Sequence, residues 1–190
     1  MILVTLVCGA SGVGKTRAAA ALAARYGVPL GEADDVVTAL AAMTTAEQQP
    51  LLHFWSANPQ AASWPPERIA DLHVEVVDAL RPAFVAVIAD HVEYAAPVVL
   101  EGDYLTPDLA VGYDGAVRAV VLDEPDEDRL VANYGGREPD RGGQRHRARV
   151  SVLVGARLAD RARRAGMPVV PARPWTDQTD RIDRALFGVD

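Results

Sequence analysis

The chain has 190 residues, 49% of them hydrophobic, enough for a domain with a substantial buried core. Its 26 acidic residues outnumber 19 basic ones, and a net charge of -7 excludes a protein that grips nucleic acid by neutralising backbone phosphates. A single cysteine, Cys8, excludes a disulfide framework, and no run approaches the ~20 apolar residues of a membrane span; a cytoplasmic protein with neither signal peptide nor membrane segment is expected.

The run from Ile2 to Cys8 reads as a buried strand. Gly9-Ala10-Ser11-Gly12-Val13-Gly14-Lys15-Thr16 follows and meets G-x-x-x-x-G-K-[ST] at every fixed position. The alanine-rich stretch from Arg17 to Tyr26 is then a strong helix former. Strand, glycine loop and helix in that order form an anion cradle: glycines let backbone N–H groups close on a phosphate chain, and the helix directs its positive end at the same charge. Lys15 is placed to reach terminal phosphates, and the Thr16 hydroxyl to bind Mg2+. A glycine turn beside a surface lysine would match the pattern too, but would not require that strand and helix. Of the basic residues 18 are arginine, a bias shared with alanine, glycine and proline, and Lys15 is the only lysine. A compact ammonium fits inside a phosphate loop where a planar guanidinium is too bulky.

Gly27 and Pro29 stop the first helix, and Val28 to Ala33 is a poor strand that Pro29 confines to a sheet edge. Asp34 and Asp35 open a helix running to Met43, either as an N-terminal cap and dipole partner or as reactive carboxylates. Residues 44–66 are irregular and proline-rich, with an aromatic cluster of His53, Phe54, Trp55 and Trp64. A helix follows from Pro66 to about Tyr94, with an interruption or kink expected near Pro82. The strand from Pro97 ends abruptly in Glu101-Gly102-Asp103, where Asp103 or Glu101 is a candidate ligand for Mg2+ or its water. Another strand spans Ala116 to Asp123, and a short helix runs from Pro125 to about Asn133.

Gly135-Gly136 and Gly142-Gly143 bracket Arg137 and Arg141, with Arg145, Arg147 and Arg149 directly after. This reads either as a mobile flap whose guanidiniums close over phosphates or as a solvated basic loop. A helix from about Gln144 to Ala165, a short strand Met167 to Ala172 and a helix Gln178 to Phe187 complete the chain. Alternating strands and helices call for a parallel sheet covered on both faces, with ligands beyond the carboxyl ends of the strands. The glycine loop, Asp34, Asp103 and the flap all fall at such ends.

On these residues the chain resembles the P-loop small-molecule kinases, the group holding adenylate, shikimate and gluconate kinases. In detail it is similar to 2-phosphoglycerate kinase-like proteins, chloramphenicol phosphotransferases and zeta toxins: Glu32-Ala33-Asp34-Asp35 and Leu100-Glu101-Gly102-Asp103 match segments of the first two. The resemblance implies an α/β fold with a five-stranded parallel sheet, order 2-3-1-4-5. It implies one kinase domain over residues 1–190, an acceptor-binding helical region over about 34–96 and a lid over about 134–149. The implied nucleotide contacts are Gly9, Ser11, Gly12, Val13, Gly14, Lys15 and Thr16, with Arg129, Arg137 and Arg141 from the lid side. Arg173 and Pro174, in Arg173-Pro174-Trp175-Thr176, match the adenine-side loop. Mg2+ falls to Thr16 and Asp103; catalysis falls to Asp34 as base, with Asp35 the second candidate, and to Lys15 and Arg137. Acceptor contacts fall to Asp34, Asp35, His53, Trp55, Trp64, Glu101 and Asp103.

The expected activity is transfer of phosphate from ATP, with Mg2+, to a hydroxyl of a small molecule such as an antibiotic, a nucleoside or a specialised metabolite, by a monomer or homodimer. Between Gly31 and Pro97 the fixed cations are Arg68 and Arg81, too few for the clamp a phosphorylated acceptor needs. Acidic and aromatic residues there suit a neutral or cationic acceptor instead. A kinase of a phosphorylated metabolite remains the alternative and requires Arg68 or Arg81 in the cleft; a zeta-toxin-like role on a nucleotide sugar and an ATP-binding regulator are the others. A GTP switch carrying Asn-Lys-x-Asp is excluded, since no lysine follows Lys15.

Overall fold

The computed structural model describes residues 2–188. Its five strands are β1 (Val4–Gly9), β2 (Leu30–Glu32), β3 (Val98–Gly102), β4 (Val117–Asp123) and β5 (Val169–Pro171). They form one parallel sheet in the order β2-β3-β1-β4-β5. All six residues of β1 are buried, which is why that segment is apolar without alternation: helices cover both faces of the central strand. The edge place of β2 follows from Pro29, which has no N–H to donate; its carbonyl accepts from Val99 N at 3.0 Å. The register sets Cys8 beside Gly102 and Gly9 beside Leu122, so β1, β3 and β4 end side by side.

Seven α-helices surround the sheet: α1 (Lys15–Tyr26), α2 (Ala33–Met43), α3 (Phe54–Ala57), α4 (Pro66–Glu93), α5 (Glu127–Arg137), α6 (Gln144–Arg164) and α7 (Gln178–Phe187). Among the described residues no helix is long and apolar enough to cross a membrane. Ile69, Leu72, Val76, Leu80, Phe84 and Ile88 form the buried stripe of α4. The expected interruption at Pro82 does not occur: the helix continues through it, and the exposed position leaves the carbonyl that loses its partner within reach of water. Along its flank α4 faces α6, where Asp71 pairs with Arg157, Asp78 with Arg161 at 2.7 Å, and Glu67 with Arg149 at 3.9 Å.

The expected flap is also smaller than its glycines suggest. Gly135 and Gly136 lie inside α5, which ends at Arg137, so the loop spans only residues 138–143. Asp126 starts the helix by accepting from the N–H groups of Asp128 and Arg129, and Leu130 and Tyr134, one turn apart, are buried against the core. Packing of that face holds two poor helix formers in helical conformation.

Gly102 closes the sheet against α2. A β-carbon there would lie 2.4 Å from the Ala33 side chain, so only glycine lets the first turn of α2 sit on the end of β3 and carry Asp34 over the strand ends. Gly102→Ala is expected to lower unfolding free energy by about 1–3 kcal/mol through overpacking. A β-carbon at Gly135 meets nothing within 4 Å. Gly135→Ala is expected to raise stability by about 0.5–1 kcal/mol, since helix replaces the hinge. Urea unfolding of both variants measures the two opposite signs.

Candidate active site

The glycine loop crosses from β1 to α1 at the carboxyl end of the sheet. Gly12 and Gly14 take φ of 84° and 90°, which side chains disfavour, and a β-carbon on Gly9 would lie 2.7 Å from the Leu122 carbonyl oxygen. Lys15 is 8% exposed and its Nζ donates to the Ala10 carbonyl at 3.0 Å, so the ammonium is folded back over the loop's concave side. The first N–H groups of α1 open onto the same concavity.

Acidic groups from β3 and α2 face this loop. Thr16 Oγ1 donates to Glu101 Oε1 at 2.6 Å, and Glu101 is 5% exposed. The side chain that meets Thr16 is therefore Glu101 rather than Asp103, because the parallel register puts Glu101 beside Val7 while Asp103 lies past the end of β3. Asp103 lines the same cleft, and its carbonyl lies 3.0 Å from His73 Nε2. Burial raises the Glu101 carboxyl above its usual range, with the Thr16 hydrogen bond pulling the other way. The Asp34 carboxyl is also raised, first by partial burial and then by the neighbouring Asp103, while Lys15 opposes the shift. These groups, with Ser11, Gly12, Gly14, Lys15 and Arg17, enclose about 360 Å³. Hydroxyl and carboxylate oxygens beside a phosphate loop are the hard donor set that Mg2+ takes.

The opposite wall comes from α5 and the segment after β5. Asn133 Nδ2 donates to the Gly12 carbonyl at 2.9 Å, and the Tyr134 ring lies against Gly12, 3.0 Å from where a β-carbon would be. Arg173 Nη2 donates to Asn133 Oδ1 at 2.6 Å, and its guanidinium stacks 3.6 Å above the Trp175 ring. Arg17 lies 4.8 Å from the same ring. Arg137, Tyr134 and Trp175 line the cleft.

Neither a protein-family model nor a curated protein sequence matches the chain. Solved structures do. The chain is similar to a gluconokinase from Sinorhizobium meliloti 1021, at 17% identity and a TM-score of 0.54 over 98% of this chain and 93% of that one. A protein of Thermus thermophilus gives 17% identity and a TM-score of 0.54 over 98% and 97%. A shikimate kinase from Bacteroides thetaiotaomicron gives 13% and 0.50 over 98% and 95%. The fold is that of the P-loop kinases. The finer resemblance to 2-phosphoglycerate kinase-like proteins and chloramphenicol phosphotransferases is not among these likenesses, which at such identities speak for fold and sheet order.

On this P-loop kinase fold several residues singled out by sequence lie away from the cleft. Asp35, exposed like Asp34, is not part of the cleft wall that Asp34 lines, one helical step round from it. His53 Nε2 lies 3.1 Å from Thr44 Oγ1, and Trp64 is covered by Arg68 at 3.3 Å. Trp55 lines a neighbouring cavity of about 330 Å³ that shares Ser11 and Tyr134 with the cleft. Arg129 is drawn to Glu124 and Asp126, Arg141 to Glu138, and Pro174 is exposed beside Arg173. Trp175, in the segment likened to an adenine-side loop, does line the cleft, whereas Asn133 and Tyr134 are cleft residues that sequence reasoning missed; nothing in a helix pattern marks which face of α5 meets a loop 121 residues earlier.

Because the folded-state carboxyl of Asp34 is raised, its contribution to stability is present below the ordinary aspartate range and is lost as pH rises through the raised value. Asp34→Asn is therefore expected to raise the thermal midpoint near neutral pH, with the gain fading below about pH 3, under the ordinary aspartate range, where the carboxyl is protonated in both states. Thermal unfolding across that range measures it.

Proposed function

We propose that the protein is an ATP-dependent phosphotransferase that moves the γ-phosphate to a hydroxyl of a small molecule. The observation that carries this reading is that Asp34, Lys15 and the Thr16–Glu101 pair line one cleft at the glycine loop. Kinase names among the structural neighbours support the same class. A nucleotide regulator, the alternative from another class, would not need a base beside an acceptor pocket.

In this mechanism the loop and Lys15 hold the triphosphate, and Arg137 reaches the transferring group from the lid side. Asp34 accepts the acceptor's hydroxyl proton onto its carboxylate as the oxygen attacks phosphorus; its raised affinity for protons suits it to that step. Thr16, with Glu101 or Asp103, would hold Mg2+, which when bound neutralises phosphate charge. Arg173 and Trp175 flank the nucleoside end. Cys8, buried in β1, is expected to remain reduced in the cytoplasm.

The acceptor favoured is a neutral hydroxyl compound. Asp71 and Asp78 of α4, among the acids that suggested a cationic one, are turned toward α6 arginines, and the cavity containing Trp55, Ile69 and Tyr134 has Arg147 but no carboxylate in its wall. The alternative of a phosphorylated acceptor is disfavoured: Arg68 lies on Trp64, Arg81 pairs with Asp108 at 2.5 Å, and neither lines the cleft.

A screen of hydroxyl compounds with Mg·ATP, read by the mass gain of one phosphate, tests the reading. Lys15→Ala is expected to lose about 100-fold in rate, near 3 kcal/mol of transition-state stabilisation. Asp34→Asn is expected to keep nucleotide affinity and lose turnover, and the wild-type rate is expected to fall as pH drops through the raised Asp34 range. Intact turnover by Asp34→Asn removes the base assignment.

A further inference from the structure

The residue after α5, Glu138, is surrounded by more positive charge than it can balance. Its Oε1 accepts from Arg137 Nε at 3.1 Å and Nη2 at 2.9 Å, and from Arg147 Nη2 at 3.1 Å. Its Oε2 accepts from Arg141 Nη1 at 2.9 Å and Arg147 Nη1 at 3.1 Å. Three guanidiniums thus share one carboxylate, leaving an excess of two positive charges. The neighbouring Arg145 shows the opposite balance, one guanidinium between Glu127 and Asp128.

This cluster is joined to the phosphate loop. The Arg147 guanidinium lies 4.2 Å from the Tyr134 ring centre, and that ring packs on Gly12; Arg137 lines the cleft itself. The loop is tied into a compact turn by Gln144 Nε2, which donates to the carbonyls of Glu138 and Arg141 at 2.9 and 2.7 Å. Arg147 is the most shielded of the three arginines, at 23% side-chain exposure against 58% for Arg137 and 62% for Arg141.

We propose that Glu138 is a built-in competitor at the lid-side arginines Arg137, Arg141 and Arg147, a carboxylate that a nucleotide phosphate displaces. This rests on the phosphotransferase reading and adds a regulation to it. A terminal phosphate offers three oxygens and about two charges where the carboxylate offers two oxygens and one charge, so three guanidiniums match it better. Arg147, then Arg141 and Arg137, hold the Glu138 carboxyl down at about 2, so acidification within the working range does not free the arginines and a stronger anion must. Exposed carboxylate–guanidinium pairs are individually weak, which makes the exchange feasible. The competitor keeps three like charges gathered beside the cleft, with Arg137 in its wall, and lowers nucleotide affinity in return.

Calorimetric titration with Mg·ATP and with AMP tests this on wild type, Glu138→Gln and Glu127→Gln, the last removing the same charge from a pair that leaves the cluster intact. Glu138→Gln is expected to bind Mg·ATP about 3–10-fold tighter, with AMP unchanged. Adding Arg147→Gln is expected to abolish the gain, and thermal melts report whether each variant is folded. Unchanged or weaker Mg·ATP binding by Glu138→Gln overturns the proposal, since it makes Glu138 a support for the arginines. An equal gain in Glu127→Gln overturns it as well, since net charge then explains the effect. Failure of wild type to bind Mg·ATP removes the phosphotransferase reading and this one with it, whereas the other failures leave that reading standing.

Discussion

A phosphate loop made of glycines has almost no side chains with which to hold its own shape, and the rest of this molecule supplies them. Lys15 ties back to Ala10, Asn133 takes the Gly12 carbonyl, the Tyr134 ring covers Gly12, and the end of β4 presses on Gly9. The contacts come from three elements: α1, α5 and the sheet. The hydrogen bonds that fix the loop therefore exist only when the sheet has assembled and α5 has docked, so the anion cradle is a property of the whole fold rather than of an eight-residue motif.

That dependence explains how much was legible in advance. The strand, loop and first helix could be read because their cause is local: glycine conformational freedom, an apolar run buried on both faces and alanine-rich helix propensity. The sheet order followed from resemblance, and Pro29 at an edge was its only local support. What could not be read is tertiary. Gly135 and Gly136 look like hinge residues, yet Leu130 and Tyr134 pack firmly enough to keep them helical. Asp103 and Glu101 are equal candidates on paper, and only the pairing of β3 with β1 turns Glu101 toward Thr16. His53 and Trp64 stood out as aromatic neighbours of a cleft, but they meet Thr44 and Arg68 and neither lines it.

Charge follows the same pattern. A count of acids and bases between β2 and β3 suggests a negative acceptor pocket, because the balancing arginines come from α6, later in the chain. With α4 and α6 side by side, Glu67, Asp71 and Asp78 meet α6 arginines, while Glu32, Asp34, Glu101 and Asp103 gather at the cleft by the strand ends. Burial and then the neighbouring carboxyls raise the protonation range of Asp34 and Glu101, partly offset by Lys15. Excess positive charge collects on the other wall, in the arginines around Glu138. The cleft is thus polarised from one side to the other.

The arginine bias of the chain leaves Lys15 as the sole ε-amine, and that amine lies in the cleft, 8% exposed. Acetylation, ubiquitin attachment or any amine-directed label has no harmless side-chain target to strike first. Lysine chemistry on this protein is confined to the amine that ties the glycine loop together at Ala10.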